Sequence, residues 1–332
     1  MVTSMTQQTN KSVIGLTTDA MELRAAEVER GVGGLKVTAK GCAPLPAGLI
    51  TDGGIADLTA FSAAVGQLLK GPGFSRKAPL LIGVKNQNAL LRIAAFPKLP
   101  PDKMKNAVLL QAQPVIPIPV SELELDCLFE NEFQDENRTM VSTLLTGAKK
   151  SHLNHLIYAA KAAERLIGDV DIAILATQRA VLDSGASGKE CVLLADIDHE
   201  TINMLVFCGE TIYMARTVPL SAEASGLLNA PGSQPMNEEQ LSSLAPLITG
   251  DLRTSLRYFS TLPAAADHPV SRVLLTGCHP QTGQLGSVMA SGFELPVQVP
   301  QLYPALQGAG ADALSYGTVI SLALRGLEGV AR

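Results

Sequence analysis

Two spacings of apolar residues divide this chain. Short runs rich in strand-forming residues open each half, and stripes that repeat every three or four residues follow them. Val13–Leu16 and Glu22–Val28 predict two strands around a turn at Thr17–Met21, continued by a third at Gly34–Ala39. Leu58, Phe61, Val65, Leu68 and Leu69 share one face of a helix predicted over Asp57–Leu69, which Gly71-Pro72-Gly73 stops. Leu80–Val84 and Ala89–Ala95 are strand-like. Pro97–Pro101 is a rigid linker into a helix at Asp102–Gln113, with Met104, Ala107, Val108 and Gln111 on one face. The next segment, Pro114–Pro119, cannot be a central strand, because each proline lacks an N–H donor.

Strands are predicted again at Leu123–Phe129 and Met140–Leu145. Lys149–Leu166 has the helical stripe Leu153, Leu156, Ile157 and Ala160, and Gly168 is its expected left-handed cap. Ile172–Leu175 and Cys191–Val206 are strand-like and flank a Ser184–Lys189 loop. Val192–Thr217 is a second strand–turn–strand segment, and Ser221–Met236 is an excursion rich in Gly, Pro and Ser. Asn237 caps a helix expected over Glu238–Phe259, with a stripe of Leu241, Leu244, Leu252, Leu256 and Phe259 and a kink at Pro246. Val273–Leu275 and Leu295–Val299 are strands; Thr282–Ser291 and Ala311–Leu324 are helices.

The two hairpins carry the candidate chemistry. A loop that holds phosphate brings backbone N–H groups close to the anion, and glycine permits that approach. Here Asp19 and Asp198 stand at the turns instead. Asp196 and Asp198 alternate along a strand and so face one side. Together with Asp19 they are a candidate set for a divalent cation, the alternative being that Asp198 occupies an exposed turn.

Composition narrows the classes. A chain of 332 residues has material for two lobes, and 46% hydrophobic against 17% charged residues excludes a disordered chain. A net charge of -5, 4% aromatics and no Trp argue against nucleic acid as the partner. No apolar run approaches the ~20 residues that cross a bilayer. The first dozen residues are polar, so a cytoplasmic protein is expected, without direct membrane insertion. Cys191 and Cys208, in strand-like runs, are expected as small buried hydrophobes in a reducing compartment.

The order of parts resembles the PilM family of actin-like type IV pilus assembly proteins and, more distantly, FtsA-type proteins. The likeness spans roughly Val13–Gly326. Its most specific stretch is FPKLPPDKMKNAVLLQAQPVIPIPVSELELDCLF at Phe96–Phe129, followed by the tail Ser315–Arg325. The resemblance implies an α/β, actin-like two-lobed fold of duplicated ribonuclease H-like domains with a small inserted α+β subdomain. It divides the chain into a tail at 1–11, a first lobe at 12–79 and an inserted subdomain with return strand at 80–147. The first lobe resumes with a helical part at 148–184. A second lobe follows at 185–310, with a helical insertion near 221–262, and a closing helix at 311–332.

The resemblance also implies ATP with magnesium at Thr17, Thr18, Arg24, Asp196, Thr201 and Gly277, with Asp196 and Asp198 as metal candidates. It implies an adaptor whose groove, at Leu99, Met104, Val108, Ile116 and Ile118, holds the cytoplasmic N-terminal peptide of a PilN-like bitopic inner-membrane protein. Pilus motor or platform proteins are further partners it suggests. The chain departs from the family's loops in ways that bear on chemistry. Thr17 stands for an Asp, Asp19 for a Gly and Arg24 for a Lys. Asp198 stands for a Gly, Cys278-His279 for glycines, and Leu220-Ser221 for a Gly-Gly turn. Two like charges ~4 Å apart repel by about 4 kcal/mol at an effective dielectric near 20. Acids facing phosphate therefore oppose nucleotide binding, and a pseudo-ATPase is expected. An active ATPase or kinase relative and an FtsA-like filament protein are the alternatives.

His152 and His155, one turn apart, are expected at a solvated helix start, and His199 on the surface. Ser184-Gly-Ala-Ser-Gly lacks the Lys-[Ser/Thr] ending of a phosphate loop and is read as a connector.

Overall fold

The computed structural model describes residues 10–51, 54–85, 88–135, 138–229 and 235–328. Most of the expected tail, part of the excursion after Ser221 and the C-terminal end lie outside them. The chain folds as two units. One comprises residues up to 85, 154–184 and 301 onward; the other comprises 86–153 and 185–300.

The first unit is built on a five-stranded sheet. Strands β1 (Ser12–Thr18), β2 (Glu22–Gly31) and β3 (Gly34–Pro44) form an antiparallel meander. A two-stranded ribbon, β4 (Ile50–Thr51) and β5 (Gly54–Ile55), precedes helix α1 (Leu58–Leu69). Asp57 caps α1 by accepting the Ala60 N–H at 2.9 Å. Strand β6 (Leu80–Val84) then lies parallel to β1. Later in the chain β10 (Ile167–Ile172) adds parallel to β6, giving the order β10-β6-β1-β2-β3.

Intervening residues form a smaller sheet that belongs to the second unit. Its strands are β7 (Ala89–Pro97), β8 (Leu123–Asp135) and β9 (Arg138–Lys149), in the order β7-β9-β8. Helix α2 (Pro101–Leu110) packs Met104 and Val108 onto Leu90, Phe96, Cys127, Val141 and Leu145. The proline-rich segment makes short 3-10 turns rather than a strand, as its missing donors require. A bulge between Phe129 and Glu132 breaks the β8–β9 register. The side chain of Glu130, within that bulge, accepts the backbone N–H of Ile212 at 3.2 Å.

Helix α3 (Lys150–Ala162) ends differently from expectation. The left-handed residue is Glu164, at φ 56°, and Gly168 lies inside β10. The Arg165 N–H reaches back to the Ala160 carbonyl at 2.9 Å, and its guanidinium donates to the Leu69 and Ser75 carbonyls. Those anchors close the helix one turn before the glycine. The segment after Ile172 also departs from expectation: instead of continuing as strand to Leu175 it becomes helix α4 (Ala173–Asp183). Its first six residues, Ala173–Gln178, are all buried, and a short apolar run cannot be assigned to helix or strand by periodicity alone.

The second unit repeats the first unit's sheet plan. Strands β11 (Cys191–Ile197), β12 (Thr201–Cys208) and β13 (Thr211–Pro219) form the antiparallel meander. Helix α5 (Ala222–Leu228) lies within the excursion rich in Gly, Pro and Ser. Helix α6 (Glu238–Ser260) follows, its first turn closed by a reciprocal capping box between Asn237 and Gln240 and with Pro246 inside it. After the short α7 (Ala264–Asp267), β14 (Val270–Gly277) pairs parallel to β11. Helix α8 (Thr282–Ala290) leads to β15 (Val297–Gln298), completing the order β13-β12-β11-β14-β15. Leu241, Leu244, Ile248, Leu252 and Phe259 of α6, with Leu285 and Met289 of α8, bury this sheet's Leu193, Met204 and Leu275.

The final helix, α9 (Ala313–Glu328), returns to the first unit and lies across β1, β2 and β6. Its backbone sits directly on β1: a Cβ at Gly15 would come within 1.9 Å of the Val319 carbonyl oxygen. Arg325 pairs with Asp169 at 2.7 Å and Asp171 at 2.8 Å on β10. The opposite face of the sheet presents Leu16, Leu23 and Ile82 to Phe61 and Val65 of α1 and Leu156 of α3.

Two outcomes follow. Gly15→Ala should lower stability by about 3 kcal/mol in urea unfolding, because neither backbone can yield. Burial raises the pKa of Glu130, opposed by the Ile212 N–H bond, so the folded state favours its protonated form. Glu130 ionisation therefore lowers stability as pH rises through that interval. Glu130→Gln should match the wild type at acid pH and exceed its melting temperature at neutral pH; equal pH profiles would disprove the assignment.

Candidate functional site

Each unit places one of the two hairpin turns at the corresponding end of its sheet. In the first unit Thr17 is buried and stands opposite Arg24 on β2 and beside Gly83 on β6. Thr18 is half-buried and donates its hydroxyl to the Asp19 carbonyl at 3.2 Å. Asp19 is only 5% exposed. Its Oδ1 accepts the N–H groups of Met21 at 2.9 Å and Glu22 at 3.0 Å, and its own N–H donates to the Glu22 carbonyl at 3.1 Å. The turn's backbone donors thus already hold an anion, and that anion is a side chain of the turn itself.

Arg24 is equally committed. Its Nε donates to the Glu22 carboxylate at 2.9 Å and its Nη1 to the Ser315 carbonyl at 2.8 Å. The guanidinium also sits 5.0 Å from the centre of the Tyr316 ring. The residue in the phosphate-lysine position fastens β2 to the start of α9.

In the second unit a buried polar row closes the β11–β12 turn. Asp196 accepts the Thr276 hydroxyl at 2.6 Å. Asp198 accepts the Asn203 side-chain amide at 3.0 Å, and the same amide reaches the Thr201 hydroxyl at 3.4 Å. The Asn203 side-chain oxygen Oδ1 in turn accepts the Thr217 hydroxyl at 2.9 Å. Asp198 is 2% exposed, so the alternative of an exposed turn does not hold. The strand pattern shows an acid near a turn; it cannot show that Asn203, five residues on, folds back beneath it. Gly277 permits β14 to run beside β11, since a Cβ there would lie 2.5 Å from the Ile197 carbonyl oxygen.

His199 is not a free surface residue either. It is half-buried, with Nδ1 2.7 Å from the Asn229 side-chain oxygen, while the Asn229 amide donates to the His199 carbonyl at 2.8 Å. Helix α5 clasps this turn through Ser225 and its C-terminal Asn229. His152 is buried rather than solvated, and His155 is half-buried.

The expected partner residues separate by burial. Met104, Val108 and Ile116 are in the small sheet's core; Ile118 packs on its margin; Leu99 is exposed. Leu110, Val115, Leu128, Phe129 and Phe133 of the same subdomain are also exposed, an accumulation of apolar surface that single-residue patterns did not show.

Cys191 and Cys208 are not independent buried hydrophobes, as expected from sequence, but are joined by a disulfide. The register of β11 and β12 puts them opposite one another, a pairing across 17 residues that composition cannot reveal.

Two sheets of one strand order, each with a three-stranded antiparallel meander followed by parallel strands, define an actin-like protein of the duplicated ribonuclease H-like class. Residues 15–224 match the family described as Type IV pilus assembly protein PilM, and the chain belongs to that family. It is similar to a chain of a PilM-PilN type IV pilus biogenesis complex, with 20% identity, a TM-score of 0.80, and 96% of this chain and 99% of that one covered. It is also similar to the ethanolamine utilization protein EutJ from Carboxydothermus hydrogenoformans, at 11% identity and a TM-score of 0.54, covering 95% of this chain and 90% of that one.

Burial predicts opposite consequences for two substitutions in the small subdomain. Met104→Glu should cost at least about 3 kcal/mol by burying an unpaired carboxylate, whereas Leu99→Asp should stay within about 0.5 kcal/mol of the wild type. Chemical denaturation of the two variants checks this ordering.

Proposed function

We propose that this protein is a scaffold of type IV pilus assembly that works by docking protein segments, with nucleotide chemistry weak or lost. The single observation that carries the reading is the Asp19 carboxylate held by the Met21 and Glu22 N–H groups. A phosphate entering that turn would have to displace a carboxylate already hydrogen-bonded in place and then sit beside its charge. These residues do not fit the phosphate of ATP, and Arg24, committed to Glu22 and Ser315, does not supply the missing cation. The buried bonds of Asp196 and Asp198 to Thr276 and Asn203 weigh in the same direction against a hydrated magnesium ion.

The partner is the cytoplasmic N-terminal peptide of a PilN-like bitopic inner-membrane protein. Family membership and likeness to a chain from a PilM-PilN complex support this. Leu99 and Ile118 form the accessible part of the docking surface, with Met104, Val108 and Ile116 as its rigid floor. Side chains of an extended peptide dropping between such residues supply affinity by apolar burial. The protein would act in the cytoplasm and reach the inner membrane through that partner. No helix among the described residues is long and apolar enough to cross a membrane.

Active ATP hydrolysis is the second reading, favoured by Asp196, Thr201 and Gly277 at the family's positions. Calorimetric titration separates the two. ATP with magnesium should give no binding at micromolar concentrations, and a PilN-type N-terminal peptide should bind and lose at least about tenfold in affinity with Leu99→Asp. Micromolar ATP binding that disappears in Asp196→Ala would reject the pseudo-ATPase; undiminished peptide affinity in Leu99→Asp would move the docking surface elsewhere.

A further inference from the structure

Cys191 opens β11, Cys208 ends β12, and the antiparallel register sets them face to face. Their Cα atoms lie 4.3 Å apart, the close spacing of an antiparallel pair that shares no ladder hydrogen bonds. At such a position both side chains leave the sheet on one face, which brings the two sulfurs together. A third group joins them from outside the hairpin. The imidazole Nδ1 of His268, directly after α7, is 3.8 Å from the Cys208 Sγ. Tyr213 on β13 stacks against that imidazole with ring centroids 4.2 Å apart, which holds the ring beside the sulfur. The two cysteines differ in access: Cys191 is buried, and Cys208, with His268, is half-buried.

We propose that Cys191 and Cys208 form a site of reversible thiol–disulfide exchange, with Cys208 the sulfur that meets a small-molecule disulfide and His268 its proton acceptor. A cross-link serving structure alone needs no neighbouring base; here the half-buried Cys208 has one beside it. In the reduced state the Cys208 proton passes to His268 Nδ1, and the thiolate attacks one sulfur of a disulfide RSSR. The S–S bond of RSSR breaks, RS⁻ leaves with the proton from His268, and Cys208 carries a mixed disulfide. Cys191, 4.3 Å away at Cα, then loses its proton and attacks the Cys208 sulfur, expelling the second RS⁻, which takes that proton up. Two thiols are oxidised, one RSSR is reduced to two RSH, and the reverse sequence restores the thiols.

The placement gives the exchange a structural consequence. The bond closes a loop of sequence separation 17 that contains Asp196, Asp198 and Thr201, so its state fixes or frees the base of the hairpin whose tip carries the polar row. His268 and Tyr213 tie the same point to α7 and β13.

The test uses the full chain in mixtures of glutathione and glutathione disulfide, followed by alkylation, intact mass and peptide mapping. Oxidising mixtures should join Cys191 to Cys208 while Cys42, Cys127 and Cys278 remain alkylated, and excess glutathione should reverse the bond. The oxidised form should melt higher by roughly 5 °C, since the cross-link restricts the unfolded chain. His268→Ala should slow oxidation at least about tenfold, and added imidazole should restore the rate, which a packing role alone would not allow. Three results overturn the proposal: both cysteines staying alkylatable in glutathione disulfide, a bond that excess glutathione leaves intact, or one equivalent of zinc protecting both thiols in reducing buffer.

Discussion

The first unit exists because α9 can lie backbone-to-backbone on β1. Its parts come from three stretches of chain, and the last of them begins only at residue 301. The missing Cβ of Gly15 is what lets the Val319 carbonyl approach the strand. From that approach the rest of the packing follows: Arg325 reaches Asp169 and Asp171 on the edge strand β10, and Arg24 reaches the Ser315 carbonyl from β2. Contacts of such long sequence separation make the unit cooperative, because none forms before its loop entropy has been overcome. The second unit uses the same device on a shorter scale, with Gly277 admitting the Ile197 carbonyl between neighbouring strands.

On this frame each of the two turns holds a buried carboxylate of its own. Asp19 satisfies the backbone donors of its turn, and Asp198 is satisfied by Asn203. Neither acid is an unpaired buried charge, so neither destabilises the fold as an isolated carboxylate would. At the first turn the donors so used are backbone N–H groups, of Met21 and Glu22; at the second the donor is a side-chain amide.

The small subdomain shows a different balance. Its core is complete, with Met104, Val108 and Ile116 inside, yet it leaves several large apolar side chains in solvent. The proposed docking surface rests on that combination: a floor fixed by packing, with large apolar side chains exposed beside it. Glu130, aimed by a bulge in β8 at the Ile212 N–H, fastens this sheet to β13 within the same unit.

The sequence by itself determined the elements whose patterns are one-sided or punctuated. Both hairpins, α1, α6 with its Asn237 cap and the non-strand character of Pro114–Pro119 all stand close to where spacing and proline chemistry put them. The order of those parts also sufficed to point to the PilM family and its actin-like fold. Tertiary structure alone decided the rest. Helix α4 opens as a short apolar run directly after β10, so local pattern does not mark where strand gives way to helix. The end of α3 is set by Arg165 reaching carbonyls far along the chain rather than by Gly168. The Cys191–Cys208 bond depends on strand register, and the Asp198–Asn203 bond on a chain reversal. Local pattern records which face of an element is apolar; it does not record which distant backbone or side chain completes a polar group, because that partner is fixed only when the sheets close.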